Sequence, residues 1–370
     1  MTLLCFLLLL ASPENERLLL GKSPFFRIEG MERARRAGDV ALLQRAARSN
    51  HWDARRAAAL ALGSGTPVAL LKDPVAVVRA AAIEALDTTA PEDALWLRTR
   101  DPDSAVRAAA AWALRDASRK SNLKRLLDDP VLDVRLAAMA AMGRRRELLR
   151  LARDKDLGTA LGALAALGRC GDASAAGTLL RDLGKSIKSS SRKRMVFVDS
   201  TATADYARAR AVGEMARRDV SVGGRSVARR LRKLVDGANL QGRAGIVLSE
   251  AVAAGRDAEA ARRIVDAQVR ARKQSTLPFH AINFVLRGGM HAFAREPWPE
   301  LAPLLLPLLA DRDVHVRRAV AEALHGDAAR LALGDRDAPV RAIGCARIGK
   351  QAPLLAALRD PEPSVRVAAI

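Results

Sequence analysis

Apolar and polar positions recur with a fixed spacing of 28 residues in the stretch 72–143. Each line of this pattern begins with Asp-Pro, continues with Val-Arg, and ends in an Ala-rich run closed by Leu or Met. The three lines are residues 73–86, 101–114 and 129–142. A fixed period of this size is typical of a solenoid, in which each unit buries its apolar face only against its neighbours.

Each line also has local reasons to form a helix. In the first line, Val78, Ala82, Ala85 and Leu86 fall at spacings of four, seven and eight, which places them on one helix face. The Asp can accept a hydrogen bond from first-turn amides, Pro is tolerated where no amide hydrogen is needed, and Ala favours the helix body. The pattern therefore predicts a stack of short helices.

The set Asp-Pro, Val-Arg and Ala-x-x-Ala-Leu resembles the HEAT-repeat family, in its short bacterial form typified by phycobilin-lyase-type repeats. The resemblance covers residues 49–170 and 310–370 well and the middle weakly. HEAT units are nearer about 40 residues long, so these repeats need a very short second helix. The family implies a ladder of Asp and Arg side chains that ties adjacent repeats. On this chain it would pair Asp73, Asp101 and Asp129 with Arg79, Arg107 and Arg135, and continue through Arg317, Arg341 and Arg366.

The same signature returns near the C-terminus, at residues 311–324, 335–348 and from 360 onward, with periods of 24 and 25 residues. The chain stops inside a repeat, so we expect either a truncated coding sequence or another molecule covering that apolar end.

We divide the chain into an apolar segment 1–30, N-terminal repeats 31–184, diverged basic repeats 185–297 and C-terminal repeats 298–370. The fold predicted is an all-α, right-handed α-solenoid of short HEAT-like helical hairpins.

The middle of the chain departs from the signature. Residues 185–194 are polar, basic and without periodicity, which predicts an exposed loop, followed by a short extended piece at 195–198. Helical patterning then resumes. The predicted helices are 204–218, 225–235, 240–253, 258–272 and 279–293.

The N-terminal run 3–11 is apolar but too short to span a bilayer. It lacks basic residues ahead of it and a good cleavage site, so it is a poor signal peptide. The alternative is an apolar cap on the open end of the solenoid. The sequence favours a cytoplasmic location and leaves export open.

Charge is the strongest functional signal. The net charge is +21, and residues 185–273 carry 21 Lys and Arg against nine Asp and Glu. In the predicted helix 225–235, Val227, Leu231, Leu234 and Val235 share one face and the basic residues share the other. Such an arrangement is expected of a contact with a phosphate backbone; the alternative is a solvated face that keeps an Ala-rich protein soluble. The candidate polyanion-binding residues are Lys185, Lys188, Arg192, Lys193, Arg194, Arg225, Arg229, Arg232 and Lys233.

Enzymatic and metal-binding interpretations find little support. The five histidines are scattered and none is followed by Glu, unlike the iron-binding His-Glu pairs of HEAT-repeat hydroxylases. Cys5, Cys170 and Cys345 are far apart and form no Cys-x-x-Cys, so neither a disulfide framework nor a zinc site is predicted. We predict no cofactor, metal or catalytic residue.

The sequence thus predicts a non-catalytic scaffold that binds an acidic protein partner along an extended solenoid surface. The first alternative is a solenoid that binds the phosphate backbone of a nucleic-acid duplex through the basic block 185–273. Phe197 and Tyr206 are the only aromatic residues in this block, so few side chains are available to stack on bases. A minor alternative, from the resemblance alone, is phycobilin-lyase-like activity. No transmembrane span is expected.

Overall fold

The structure is a computed structural model that describes residues 30, 34–35, 38–117, 120–190, 200–240, 243–274, 288–294, 298–348 and 351–369. These residues form an all-α repeat solenoid. Within them, the strands are confined to one antiparallel hairpin, β1 (Ser221–Val222) and β2 (Arg225–Ser226). Contacts between residues divide the chain into two units, Met1–Leu151 and Ala152–Ile370. This division falls inside the predicted segment 31–184, and the segment boundaries predicted from sequence stay predictions.

The first unit is built from short helices. From residue 40 onward its described α-helices are α1 (Val40–Ala46), α2 (Trp52–Leu62), α3 (Ala76–Leu86), α4 (Glu92–Arg98), α5 (Ser104–Ala113), α6 (Leu132–Ala141) and α7 (Arg145–Leu151). The helices that carry the signature arginine, including α2 with Arg55, pack in sequence order, α2 on α3, α3 on α5, and α5 on α6.

The second unit begins with long helices and returns to short ones. Its described α-helices are α8 (Leu157–Cys170), α9 (Ala173–Ser190), α10 (Ser200–Arg217), α11 (Val227–Asp236), α12 (Arg243–Gly255), α13 (Ala258–Gln274), α14 (Ala302–Leu305), α15 (Val314–Ala323), α16 (Ala338–Ile348), α17 (Gln351–Ala357) and α18 (Pro363–Ala369). Residues 288–293 are also helical. The predicted helix 279–293 is described only in this last part.

The second element of several signature repeats is a 3₁₀ helix, where the sequence predicted a short α-helix. Helices α4, α7 and α17 match that prediction; the 3₁₀ helices are Val68–Lys72, Lys120–Asp128, Leu306–Ala310 and Gly326–Gly334. A 3₁₀ helix rises about 2.0 Å per residue against about 1.5 Å in an α-helix, so it covers the return path with fewer residues. This tighter element helps a unit to close within 24 to 28 residues.

In most signature helices an arginine connects two repeats. The guanidinium of Arg79 donates from Nη1 to the backbone carbonyl of Asp73 in its own repeat (2.8 Å). Its Nε and Nη2 donate to the two carboxylate oxygens of Asp101 in the next repeat (2.9 and 2.6 Å). The ladder predicted from the family resemblance therefore has its carboxylate contacts offset by one repeat. Asp73 receives Arg55 of the preceding helix (2.6 Å), and its contact with Arg79 is through the backbone.

The same geometry recurs in both units. Arg107 reaches Asp129 at 2.8 Å in the first unit, and in the second unit Arg317 reaches Asp335 at 2.8 Å and Arg341 reaches Asp360 at 2.7 Å. Arg135 and Arg366 make the contact to the carbonyl of their own repeat's Asp, each at 2.7 Å. Five arginines thus hold a carboxylate with a two-pronged grip, the geometry for which guanidinium is suited.

The Asp of the Asp-Pro pair was predicted to cap the signature helix, and this prediction is wrong. Asp73 accepts a hydrogen bond from the amide of Val75 at 2.9 Å, and α3 begins one residue later. This contact is an Asx-turn, in which a side chain closes the chain on an amide two residues ahead. Each ladder carboxylate therefore has two roles. It binds an arginine of the preceding repeat, and it stabilises the turn that sets the direction of the following helix.

The core of the first unit is continuous and built from small residues. Val78, Val106 and Val134 stand at the same repeat position and are fully buried, and Ala82, Ala110 and Ala138 follow one turn later. The buried face is wider than the predicted stripe, because Ala81 and Ile83 are buried while Ala85 is half-exposed. Each signature helix packs between two neighbours, so its apolar residues spread around most of its circumference.

In the second unit the long helices form two layers. Helices α8, α10 and α12 pack side by side, and α9, α11 and α13 form the other layer. Gly213 lets α10 approach α12 closely, since a Cβ there would lie 2.1 Å from the carbonyl oxygen of Ala251. Such an approach requires Gly, because any larger side chain would meet the backbone of α12.

We predict that Arg55→Met lowers the free energy of unfolding by about 3 kcal/mol, because it leaves the buried carboxylate of Asp73 without its cation. The neighbouring residue, Arg56, is exposed and provides a matched control on the same helix. Arg56→Met should change stability by less than about 0.5 kcal/mol. Urea unfolding followed by circular dichroism measures both; equal effects of the two substitutions would contradict a ladder.

The ladder also predicts acid sensitivity. The hydrogen bond from Arg107 lowers the pKa of Asp129, against the opposing effect of burial. Burial alone would raise the pKa of Asp101, but the bonds from Arg79 and the Asp103 amide outweigh it, and the net pKa is lowered. A carboxyl whose pKa is lower in the folded chain contributes stability that is fully present above its unfolded pKa of about 3.9.

That contribution is lost as pH falls through the lowered pKa. We therefore expect the urea midpoint, measured at fixed ionic strength, to be steady from pH 6 to about pH 4.5 and to fall below it. Asp101→Asn should start from a lower midpoint and show a shallower fall. A slope identical to that of the wild-type chain would argue against this source of the acid sensitivity.

Candidate functional site

The predicted loop at 185–194 is helical in its first part. Helix α9 continues to Ser190, because Leu183 and Ile187 are buried (0 and 5 % exposed) and extend its apolar stripe past Lys185. Lys185 and Lys188 are exposed on the opposite side of this helix. The predicted candidates Arg192, Lys193 and Arg194, and the predicted extended piece 195–198, lie outside the described residues.

The helix predicted from residue 225 begins two residues later. Arg225 is exposed in β2, and Ser226 caps α11 by accepting from the amide of Arg229 at 3.2 Å. Val227, Leu231 and Val235 are buried, as their spacing predicted, and Leu234 is half-buried. Arg229 and Lys233 are exposed one turn apart on the outer side.

Arg232 has a structural role and is not a free member of the predicted polyanion site. Its guanidinium lies 2.6 Å from the carboxylate of Asp257 and 2.9 Å from that of Glu259. The hydrogen bond to Asp257 raises the pKa of Arg232, although burial opposes it. Asp257 is buried and caps α13 through the amide of Ala260, so this arginine joins α11 to the start of the next helix in its layer.

A second structural cluster surrounds Asp205, which the sequence analysis missed. This carboxylate is 3 % exposed and receives Arg208 at 2.5 Å, Arg243 at 2.8 Å and the hydroxyl of Ser186. It thereby links α9, α10 and the start of α12. Two more of the arginines in the basic block are therefore held inside the fold.

Seven other cations form one surface on the layer α9, α11 and α13. On each helix, the residues opposite the buried stripe are exposed, and they are mostly basic. We call this surface the basic face; within the described residues its members make no ion pair. They are Arg181, Lys185, Lys188, Arg229, Lys233, Arg262 and Arg270.

Three of these residues, Arg181, Arg262 and Arg270, were not among the sequence-predicted candidates. Arg181 lies one turn before Lys185, and Arg262 and Arg270 lie eight residues apart on α13. Arg181 could have been predicted from the sequence, because it lies four residues before the candidate Lys185 in the same helix. The two on α13 required knowledge that this helix lies beside α11.

Carboxylates near the basic face are mostly paired within the fold. Asp182 binds Arg153 at 2.6 Å, and Asp236 and Glu259 both bind Arg263 at 2.5 Å. Asp266 is half-buried and makes no ion pair among the described residues. Because arginines outside the basic face pair with most of these carboxylates, the net charge of the basic face stays positive. A surface of this kind can attract polyanions.

The described residues contain no group of three His, Cys, Asp or Glu placed to hold a metal ion. Cys345 is buried, and burial raises the pKa of its thiol. His291 pairs with Glu322 at 2.8 Å on the surface. Among the described helices, none is long and apolar enough to cross a membrane.

Comparisons with known proteins give no family for this chain. No protein-family model matches it, and neither does any curated protein. One solved structure that it resembles is a leucine-rich repeat variant with a novel repetitive protein structural motif; the match has 16 % identity and a TM-score of 0.21, and covers 95 % of this chain and 87 % of that one. This match is too weak to assign a fold, so the assignment of an α-solenoid depends on the repeat geometry described above.

The division between structural and free cations is testable on one helix. We expect Arg232→Gln to lower the melting temperature, with a cost of about 0.5–1 kcal/mol because its pair with Asp257 is only half-buried. Arg229→Gln, three residues earlier, should leave the melting temperature unchanged. Differential scanning calorimetry of both variants measures this; a destabilised Arg229 variant would show that the basic face is part of the fold.

Proposed function

We propose that this chain is a non-catalytic helical-repeat scaffold that binds an acidic protein partner over an extended surface. Membership of the HEAT-repeat family is part of the proposal, as is a cytoplasmic location. The observation that carries it is the basic face, seven exposed cations on three successive helices of one layer.

Ion pairs between helices support a binding role for this layer. Arg232 and Arg263 join α11 to α13 through the carboxylates of Asp257, Glu259 and Asp236. A preorganised surface loses little conformational freedom on binding, so its charges can contribute to affinity and to the rate of association. Guanidinium groups at the face also suit two-pronged contacts with carboxylates.

The second candidate is binding to the phosphate backbone of a nucleic-acid duplex. It is favoured by the regular exposure of Arg and Lys one or two turns apart, which suits a repeating anionic backbone. Tyr206 is half-buried, and the basic face, as far as the structure describes it, offers no aromatic side chain for stacking on bases. Contacts would therefore be to phosphates and would not read sequence. Nothing in the described geometry favours the bilin-lyase alternative.

Charge reversal tests the proposed surface. We expect the triple variant Lys185→Glu, Arg229→Glu, Lys233→Glu to lose the proteins that the wild-type chain captures from nuclease-treated extract of its own source cells. Arg56→Glu, Arg100→Glu and Arg318→Glu form a control triple with the same charge change at exposed positions elsewhere. The control should retain the captured proteins.

The same experiment separates the two candidates. Retention of partners after nuclease treatment supports the acidic protein. Loss of all partners after nuclease, together with duplex DNA affinity whose logarithm falls steeply with the logarithm of salt concentration, supports the nucleic acid. Capture that is identical for the wild-type chain and the reversal triple would overturn both uses of the basic face.

A further inference from the structure

A cleft lies on the other layer of the second unit, built by α8, α10, α12 and the helical segment 288–293. Its volume is about 290 Å³. Arginines from three elements surround it, Arg169 at the end of α8, Arg210 and Arg217 on α10, and Arg256 just after α12. All four are exposed. The cleft is thus separate from the basic face, which belongs to α9, α11 and α13.

The base of the cleft is apolar. Ala253, Ala254 and Ala292 line it together with Phe293 and Trp298, whose rings meet edge to face with centroids 6.0 Å apart. These two aromatic residues are 1 and 6 % exposed, so they are fixed by the core around them. A ligand group that reaches this floor must itself be apolar, because the floor offers little to hydrogen-bond.

The charge of the cleft is positive but moderated. Two carboxylates, Glu214 and the buried Glu250, stand among the four arginines. Arg210 contacts Glu214 at 3.3 Å, and both side chains are substantially exposed (48 and 31 %). A surface pair of this kind contributes little free energy, so Arg210 can exchange or share its partner at low cost. A guanidinium has five N–H donors, which leaves room for a second acceptor.

We propose that this cleft binds an acidic peptide segment of the partner protein, with an apolar side chain on the floor and carboxylates against the arginine rim. The inference rests on the proposed scaffold function and specifies the ligand class. Arginine binds carboxylates bidentately, and the apolar floor takes the neighbouring side chain. Two glutamates in the wall make a singly charged carboxylate a better match than a doubly charged phosphate.

Size also favours a peptide side chain over a large ligand. Pockets for drug-sized molecules and cofactors span about 300–1,000 Å³. At about 290 Å³, this cleft is at the lower edge and accommodates one or two side chains. A protein segment would anchor there through those side chains and gain the rest of its affinity from the surrounding helices.

The probe for this inference is the peptide acetyl-Asp-Leu-Asp-Leu-amide, with acetyl-Asn-Leu-Asn-Leu-amide as its neutral twin. The full chain is labelled with 5-fluorotryptophan, and the ¹⁹F signal of Trp298 is assigned with Trp298→Phe. Of the four tryptophans, Trp298 is the one in the cleft, so its shift reports occupancy there. We expect the acidic peptide to shift this signal and to bind at least about tenfold more tightly than the neutral twin.

Matched variants locate the contact. Arg210→Gln combined with Arg217→Gln should weaken binding of the acidic peptide by about tenfold or more. The control pair Arg56→Gln combined with Arg318→Gln lies outside the cleft and the basic face, removes the same charge at exposed positions and should leave peptide binding unchanged. Circular dichroism confirms that each variant is folded.

Three results would each overturn the cleft site. They are an unmoved Trp298 signal at millimolar peptide, equal binding of the neutral peptide, and a loss of binding in the control pair as large as that in the Arg210 and Arg217 variant. Partner capture that survives such a result would leave the scaffold function standing.

Discussion

The structure depends on one charged contact made repeatedly. In five helices an arginine holds a backbone carbonyl of its own repeat and a carboxylate of the next, as Arg79 does with Asp73 and Asp101. The carboxylate in turn fixes the turn before its own helix. Each contact therefore sets both the distance between two repeats and the direction in which the second helix begins. Small core residues can pack closely because this geometry is fixed for them.

This contact also determines how the net charge of +21 should be interpreted. Arginines of the ladder neutralise carboxylates inside the fold, and others, including Arg232 and Arg243, do so within the basic block. The ladder members are Arg55, Arg79, Arg107, Arg317 and Arg341. In the second unit, seven exposed cations that make no ion pair among the described residues lie together on the layer of α9, α11 and α13 as the basic face. The proposed function depends on this remaining charge, and the ladder arginines contribute to it only by keeping the helices in place.

The sequence revealed features that repeat and missed those that depend on distant neighbours. The period, the signature helices and the apolar face of α11 follow from spacing alone. The ladder offset does not, because Asp73 stands six residues from Arg79 and eighteen from Arg55, and spacing cannot choose between them. Asp205 binds side chains from three helices. No local sequence pattern predicts these contacts.

Predictions from local composition were wrong where tertiary packing determines the secondary structure. In several repeats a 3₁₀ helix replaced the predicted α-helix, because the return path is short and the tighter element covers it with fewer residues. The Ser-rich residues after Lys185 continued α9, because Leu183 and Ile187 are buried beneath them. In both places tertiary contacts outweighed the local preference of the chain.

The most direct test of the ladder is a double-mutant cycle. Arg79→Met is combined with Asp101→Asn and, separately, with Asp73→Asn, and urea unfolding gives the free energy of each variant. The account predicts a coupling of about 1–3 kcal/mol between Arg79 and Asp101, and a much smaller one with Asp73, whose backbone is what Arg79 contacts. Additive effects for Arg79 and Asp101, or a larger coupling with Asp73, would contradict it.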